Sequence, residues 1–310
     1  MAGACVALLV AYAYVLRLER QVIARMALGG ERRWGALWPL MDALRALGKR
    51  TLLPAGGARL LCRAAPALAL APVLVAFAAL PGAPSAPVRL ARAWLPGLDA
   101  EVSLLAPLAA SLLGLCGVAL YARATRQEAA RGHGAHVARE GALSVALLLL
   151  AMVGASLVGG GLGLEALADA QARSLPYVVY QPLGFGLCLL ALARGPRRLP
   201  VALPGPAPDG LAGFHLQHAG AVLALFHLGD YWHLFLMSGL LAAVYLGGGY
   251  WPWASGPHWL AAKAAAVALG ALWLRHGLEA RAWEGSVPAW PGLMLLALGN
   301  AIVTAILLTV

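Results

Sequence analysis

The feature that most constrains this 310-residue chain is a succession of long apolar stretches separated by short segments that hold nearly all of its charge. A helix that crosses a bilayer needs about 20 mostly apolar residues. Here 61% of residues are apolar and only 12% are charged, with a mean hydropathy of +0.77. Ordinary soluble domains are about 45–50% apolar and about 25% charged. The length alone would suit about two soluble domains, but the composition excludes a soluble enzyme, a disordered chain and a disulfide scaffold. Lipid offers backbone groups no hydrogen-bond partners, so apolar runs of this length cross it as helices. The expected fold is therefore all-α: a polytopic membrane protein of about eight transmembrane helices plus an amphipathic surface helix, in a single membrane domain over 1–310.

The expected spans lie near 4–16, 64–80, 104–121, 142–162, 178–193, 219–246, 261–274 and 290–308. Between the first two, residues 34–47 place Leu37, Leu40, Met41, Leu44 and Leu47 at helical spacing, opposite Asp42, Arg45 and Lys49. That pattern describes a helix lying on the membrane surface. Residues 123–140 read as a charged loop. Residues 194–208, rich in Pro and Arg, cannot be helical throughout. No basic region precedes the first apolar stretch, so a removable signal peptide is not expected.

The formal net charge of +10 would suggest nucleic acid in a soluble chain. Here it is sorted by loop: those after the first, third, fifth and seventh spans hold 19 of the 23 Lys and Arg residues. The opposite loops hold only Arg89, Arg92 and Arg173, and Lys263 lies within the seventh span. Positive residues stay in the cytoplasm, which places both termini on the outer, periplasmic side of a bacterial inner membrane and argues against nucleic acid as a partner. Trp94, Trp251, Trp253, Trp259, Trp283 and Trp290 fall near span ends, as an interfacial belt does. Cys5, Cys62, Cys116 and Cys188 are far apart with no CxxC pair, so no cluster or metal bound by this chain is expected.

Charged residues inside apolar spans are costly and point to function. Asp230 lies mid-span with His227 and His233 each one helical turn away. A carboxylate beside imidazoles suits a proton relay; the same three residues equally suit a polar network that knits helices together. As a metal site they are poor, because spacing of three and six residues turns the third ligand away from the first. Lys263 is either held in the membrane or snorkels to the interface. His215 and His218 open the sixth span, either lining an entrance or sitting at the interface. Asp209 stands among Arg194, Arg197 and Arg198, with an ion pair as the plain reading.

Several segments resemble one family, the H-type membrane component (mitochondrial subunit 1) of NADH:quinone oxidoreductase, respiratory complex I, with the related membrane anchors of energy-converting [NiFe] hydrogenases. Glu19-Arg20 followed by Arg25-Met26 resembles the signature at the end of the family's first helix. Pro39, Asp42, Leu44 and Lys49 are similar to its amphipathic helix, and residues 66–81 to its second membrane helix. Ala170-Gln171 and Gln181-Pro182-Leu183-Gly184-Phe185 are similar to the start of its fifth. Arg198, Pro200, Leu203 and Pro204 resemble the family's RAPFDLPE loop, and Asp209, Gly213, Phe214, His215, Phe226, Asp230 and Tyr231 follow at family spacing. Gly247-Gly248, Lys263, Arg275, Trp290, Asn300 and Thr304 continue it to the last helices.

The resemblance implies a membrane component that docks a peripheral redox arm on its cytoplasmic loops and forms the membrane side of a quinone cavity. It implies iron–sulfur clusters on partner subunits, antiporter-like and small membrane subunits alongside, and lipid around. Glu19, Arg20, Arg25, Asp42, Lys49, Arg198 and Phe214 would line the cavity or its docking face. Asp209, His215, His227, Asp230, His233 and Lys263 would form a proton path. The chain also departs from the family: Arg50, Ala146, Ala202, Gly205, Ala207 and Gln217 stand where it has acidic residues. Losing titratable groups leaves two other readings open, a hydrogenase- or dehydrogenase-type anchor with reduced quinone or proton chemistry, and a stand-alone transporter.

Overall fold

A computed structural model describes residues 58–81, 103–126, 128–195, 221–251, 255–282 and 289–309. The expected first span, the surface helix expected at 34–47 and residues 196–208 of the expected loop lie outside the described residues. Among the described residues there is no strand. The helices are α1 (Arg59–Ala76, closed by a 3-10 turn Phe77–Ala79), α2 (Leu105–Ala124), α3 (Glu128–Gly159), α4 (Leu164–Arg173), α5 (Tyr177–Tyr180), α6 (Pro182–Arg194), α7 (Ala221–Tyr245), α8 (Pro257–Ala282) and α9 (Trp290–Thr309). Among the described residues, four stretches are long and apolar enough to cross a membrane: Arg59–Ala79, Leu105–Ala124, Gly134–Gly159 and Trp290–Thr309. Helices α7 and α8 run 25 and 26 residues, but Asp230, the histidines, Lys263 and Arg275 dilute their apolar character.

Three details depart from what the sequence predicts. The charged segment expected as a loop over 123–140 is helical from Glu128 onward, because its Ala, Arg and Glu residues favour helix wherever no Pro intervenes. The stretch expected as a span over 178–193 is divided at Gln181, whose φ of −129° and ψ of 54° leave the helical region. Pro182 causes the break: it restricts the residue before it and opens α6 at a position where no N–H is needed. Helix α4 lies where a connection is expected, and buries Leu164, Leu167, Ala168 and Gln171, one face of an amphipathic helix.

The chain divides into two compact units. The first draws on Met1–Ala71, Leu113–Glu140 and Pro196–Trp232. Its core joins Cys62, Ala65 and Ala69 of α1 to Leu115, Val118, Tyr121 and Ala122 of α2, with Val137, Val222 and Phe226. Tyr121 meets Phe226 edge-on, with ring centres 5.0 Å apart. Helices α1 and α2 approach so closely that a Cβ on Gly117 would lie 2.6 Å from the backbone nitrogen of Ala69. Small residues at helix crossings are how apolar helices gain contact where lipid supplies no hydrophobic drive.

The second unit draws on Pro72–Leu112, Gly141–Gly195 and His233–Val310. Its buried side chains include Leu147, Leu148 and Met152 of α3, Leu187 and Cys188 of α6, Leu236, Met237, Leu240 and Leu241 of α7, and Leu293 and Ala297 of α9. Helix α6 packs on both α8 and α9. At the end where α6 stops, the Arg194 guanidinium lies over the Trp290 ring at 4.1 Å, and Arg275 donates to the carbonyl of Gly195 at 3.0 Å.

Candidate functional site

The polar residues of α7 follow from its register. Asp230 and His233 stand one turn apart on α7, and the helix continues through an apolar segment to Tyr245. Asp230 and His233 are half-buried. The Nε2 of His233 lies 2.6 Å from the hydroxyl oxygen of Ser111 on α2, and Ser111 is wholly buried. The same hydroxyl donates to the thioether sulfur of Met237, one turn beyond His233, at 3.8 Å.

At its far end α7 is closed by side chains. Gly247 and Gly248 turn the chain with φ of +73° and +54°, which glycine alone adopts without strain. The ammonium of Lys263 donates to the carbonyls of Leu246 at 2.6 Å, Gly248 at 3.1 Å and Tyr250 at 2.6 Å. All three of its donors have backbone acceptors, and the indole of Trp251 lies 5.7 Å from Nζ. The amide of Gln171 on α4 completes the closure. Its oxygen accepts from the N–H of Tyr177 at 3.0 Å and of Gly247 at 2.9 Å. Its nitrogen donates to the carbonyls of Leu167, Ala243 and Val244. A helix end leaves several carbonyls without partners, and a cation at that end also opposes the helix dipole.

A second polar node sits at the break before α6. Asn300 of α9 donates to the Gln181 side-chain oxygen at 2.6 Å, and Gln181 donates to Thr304 at 2.5 Å. Gly154 of α3 leaves room for this: a Cβ there would lie 2.8 Å from the Gln181 oxygen. Nearby, Tyr245 donates to the carbonyl of Ala151 at 2.8 Å, and a Cβ on Gly184 would meet the Tyr245 hydroxyl at 2.9 Å. These partners answer the demand that a polar group buried among helices be hydrogen-bonded.

Of the candidate residues named from the sequence, Glu19, Arg20, Arg25, Asp42, Lys49, Arg198, Asp209, Phe214 and His215 lie outside the described residues. The helix at His227 is described but its side chain is not. Asp230 and His233 share α7, while Lys263 bonds to backbone carbonyls at the end of that helix. The structure adds Ser111, Gln171, Gln181, Tyr245 and Asn300, which sequence reasoning does not pick out as site residues. Gln171, Gln181 and Asn300 carry a signal in the family resemblance, whereas Ser111 and Tyr245 offer only a polar side chain inside an apolar run; Ser111 is 122 positions from its histidine.

Fold and site together define a class: an α-helical polytopic membrane protein with polar and titratable side chains held inside its helices. The family model described as NADH dehydrogenase matches residues 1–305. The chain is 32% identical over 303 residues to the NADH-quinone oxidoreductase H-subunit 1 of Geobacter metallireducens, covering 94% of this chain and 90% of that protein. It is 31% identical to the H-subunit 2 of Syntrophobacter fumaroxidans, covering 96% and 91%, and 31% identical to the H-subunit of Thermomicrobium roseum, covering 93% and 89%. The chain belongs to this NADH dehydrogenase family, among relatives that are H-subunits of NADH-quinone oxidoreductases.

Proposed function

We propose that this chain is the H-type membrane component of a complex I-like NADH:quinone oxidoreductase, working in a bacterial inner membrane with both termini outside. The observation that carries the reading is family membership over nearly the whole length, with relatives about as long as this chain. The basic cytoplasmic loops dock a peripheral arm whose subunits carry the iron–sulfur clusters, and antiporter-like and small membrane subunits flank the chain in the bilayer. Glu19, Arg20, Arg25, Asp42, Lys49, Arg198 and Phe214 form the membrane side of a shared quinone cavity. The quinone supplies the electron acceptor; the residues of this chain orient it and keep bulk water out.

Asp209, His215, His227, Asp230 and His233 serve the coupling of quinone reduction to proton movement. A carboxylate and imidazoles one helical turn apart are the residue types that pass protons by general acid–base transfer. Lys263 belongs to the same set, with its ammonium bonded to three carbonyls that follow α7. Arg50, Ala146, Ala202, Gly205, Ala207 and Gln217, standing where the family has acids, favour a second reading: an anchor in a hydrogenase- or dehydrogenase-type complex with reduced quinone chemistry.

Purification of the tagged chain in mild detergent separates the readings, with mass spectrometry of the eluate and assays for iron and quinone. Cluster-bearing subunits with bound quinone are expected. Cluster subunits without quinone favour the second reading, and a lone, cluster-free chain overturns both in favour of a transporter.

A further inference from the structure

The described part of the first unit concentrates positive charge at one end. Arg59 and Arg63 stand one turn apart where α1 begins, Arg123 lies in the last turn of α2, and Arg126 follows two residues beyond that helix. All four are exposed. A backbone bond joins the two helix ends: the N–H of Ala58 donates to the carbonyl of Ala124 at 3.0 Å. Arg59 and Arg123 each adjoin that bond in sequence. Helix α3 begins beside them, with Gly134 against Ala122, and adds Arg131 and Arg139 together with Glu128 and Glu140.

Basic side chains at the end of a helix often serve to bond its last carbonyls. At the end of α2 other groups do this. The carbonyl of Tyr121 accepts from the N–H of Thr125 at 3.1 Å, and that of Ala122 from the Thr125 hydroxyl at 2.8 Å. The carbonyl of Arg123 accepts from the N–H of Arg126 at 3.2 Å, and that of Ala124 from Ala58. Arg126 also holds a φ of 59°; glycines apart, it is the one residue with a positive φ among the described residues. Glycine commonly closes a helix in that conformation and adopts it without strain. This position therefore keeps a guanidinium where the backbone alone favours glycine.

The apolar face beside these arginines gives the chemistry of the partner. Leu60 is 80% exposed, and Leu61 and Leu68 are exposed as well, so leucines line the outside of α1 from its charged first turn onward. The same helix opens a stretch that is able to cross a membrane. A guanidinium takes phosphate oxygens in pairs, an acyl chain lies against leucines, and basic residues at the ends of membrane helices attract anionic lipid. An acidic protein surface would answer the charge but not the leucines. We propose that this end of the first unit is a binding surface for anionic phospholipid, with phosphate headgroups on Arg59, Arg63, Arg123 and Arg126 and an acyl chain along the outside of α1. The docking of a peripheral arm then falls to the other basic segments.

The test uses the full chain in mild detergent, mixed with equal amounts of phosphatidylglycerol and phosphatidylethanolamine, and native mass spectrometry counts the lipids retained. A preference for phosphatidylglycerol is expected. Arg126→Gly is expected to lower it about fivefold, the attraction of one basic residue for an anionic surface. Its unfolding midpoint is expected to hold or rise, because glycine suits the positive φ, so lost binding in this variant is not lost folding. Adding Arg59→Gln, Arg63→Gln and Arg123→Gln is expected to bring the two lipids level. Arg173→Gln on α4, in the second unit, is the control and is expected to keep the full preference. Equal retention of the two lipids by the unmutated chain overturns the proposal, and so does a full preference in the fourfold variant. If that variant keeps the preference but releases the peripheral arm of the intact complex on a native gel, the partner is an acidic protein and the lipid surface is overturned.

Discussion

Lys263 shows how a residue type draws notice in a sequence while its surroundings are set by the fold. A lysine inside an apolar span suggests a membrane-embedded charge, and its ammonium does sit in a polar cradle. That cradle is made of three carbonyls following α7, together with the face of Trp251. Backbone acceptors leave no mark in a sequence, so this assignment is not legible there. The consequence is testable. Lys263→Met keeps the aliphatic stem but strips the donors from three carbonyls, and is expected to cost about 2 kcal/mol, read as a lower unfolding midpoint in detergent. Gln171→Leu leaves the N–H groups of Tyr177 and Gly247 without their acceptor and is expected to cost about 3 kcal/mol. Because both side chains close the same helix end, the double variant is expected to lose less than the sum.

At the scale of elements, hydrophobic runs make the membrane class legible, and α1, α2 and α9 lie where apolar stretches are expected. What is not legible are the ends and the breaks. The helical start of α3 is set by residues too polar to look like a span, and the division between α5 and α6 by a single Pro beside a Gln whose partners lie on α9. The spacing of α1 and α2 is set by Gly117, where the nearest atoms are backbone and cannot move aside. Gly117→Ala is therefore expected to destabilise by about 1–3 kcal/mol, through forced separation of the two helices. Gly299→Ala on α9, with nothing within 4 Å, is the matched control and is expected to leave the unfolding midpoint of the isolated chain unchanged. Equal effects from the two would remove the packing explanation.

At the scale of the whole molecule, family membership over residues 1–305 implies that much of the surface works inside an assembly. Helix α9 presents Leu295, Leu296, Ile302, Val303, Ile306 and Leu307 outward, a face suited to lipid or to neighbouring subunits. Reversing the charge of the basic segment proposed to dock the peripheral arm, with Arg32→Glu, Arg33→Glu and Arg45→Glu, is expected to release that arm on a native gel; an intact complex would count against docking there. Asp230→Asn is expected to abolish coupled proton movement in liposomes while the complex still assembles; full coupling would reduce Asp230 to helix packing. The carbonyl cradle has a further consequence, for the order in which the chain matures as it is made. Lys263 reaches acceptors only 13 to 17 residues upstream, so the clasp can close as soon as the next helix starts to emerge. The bond between Gln181 and Thr304 spans 123 positions and must wait for the last helix. The clasp between α7 and α8 therefore needs nothing made after α8 begins, whereas the bond that ties the break before α6 to α9 needs nearly the whole chain.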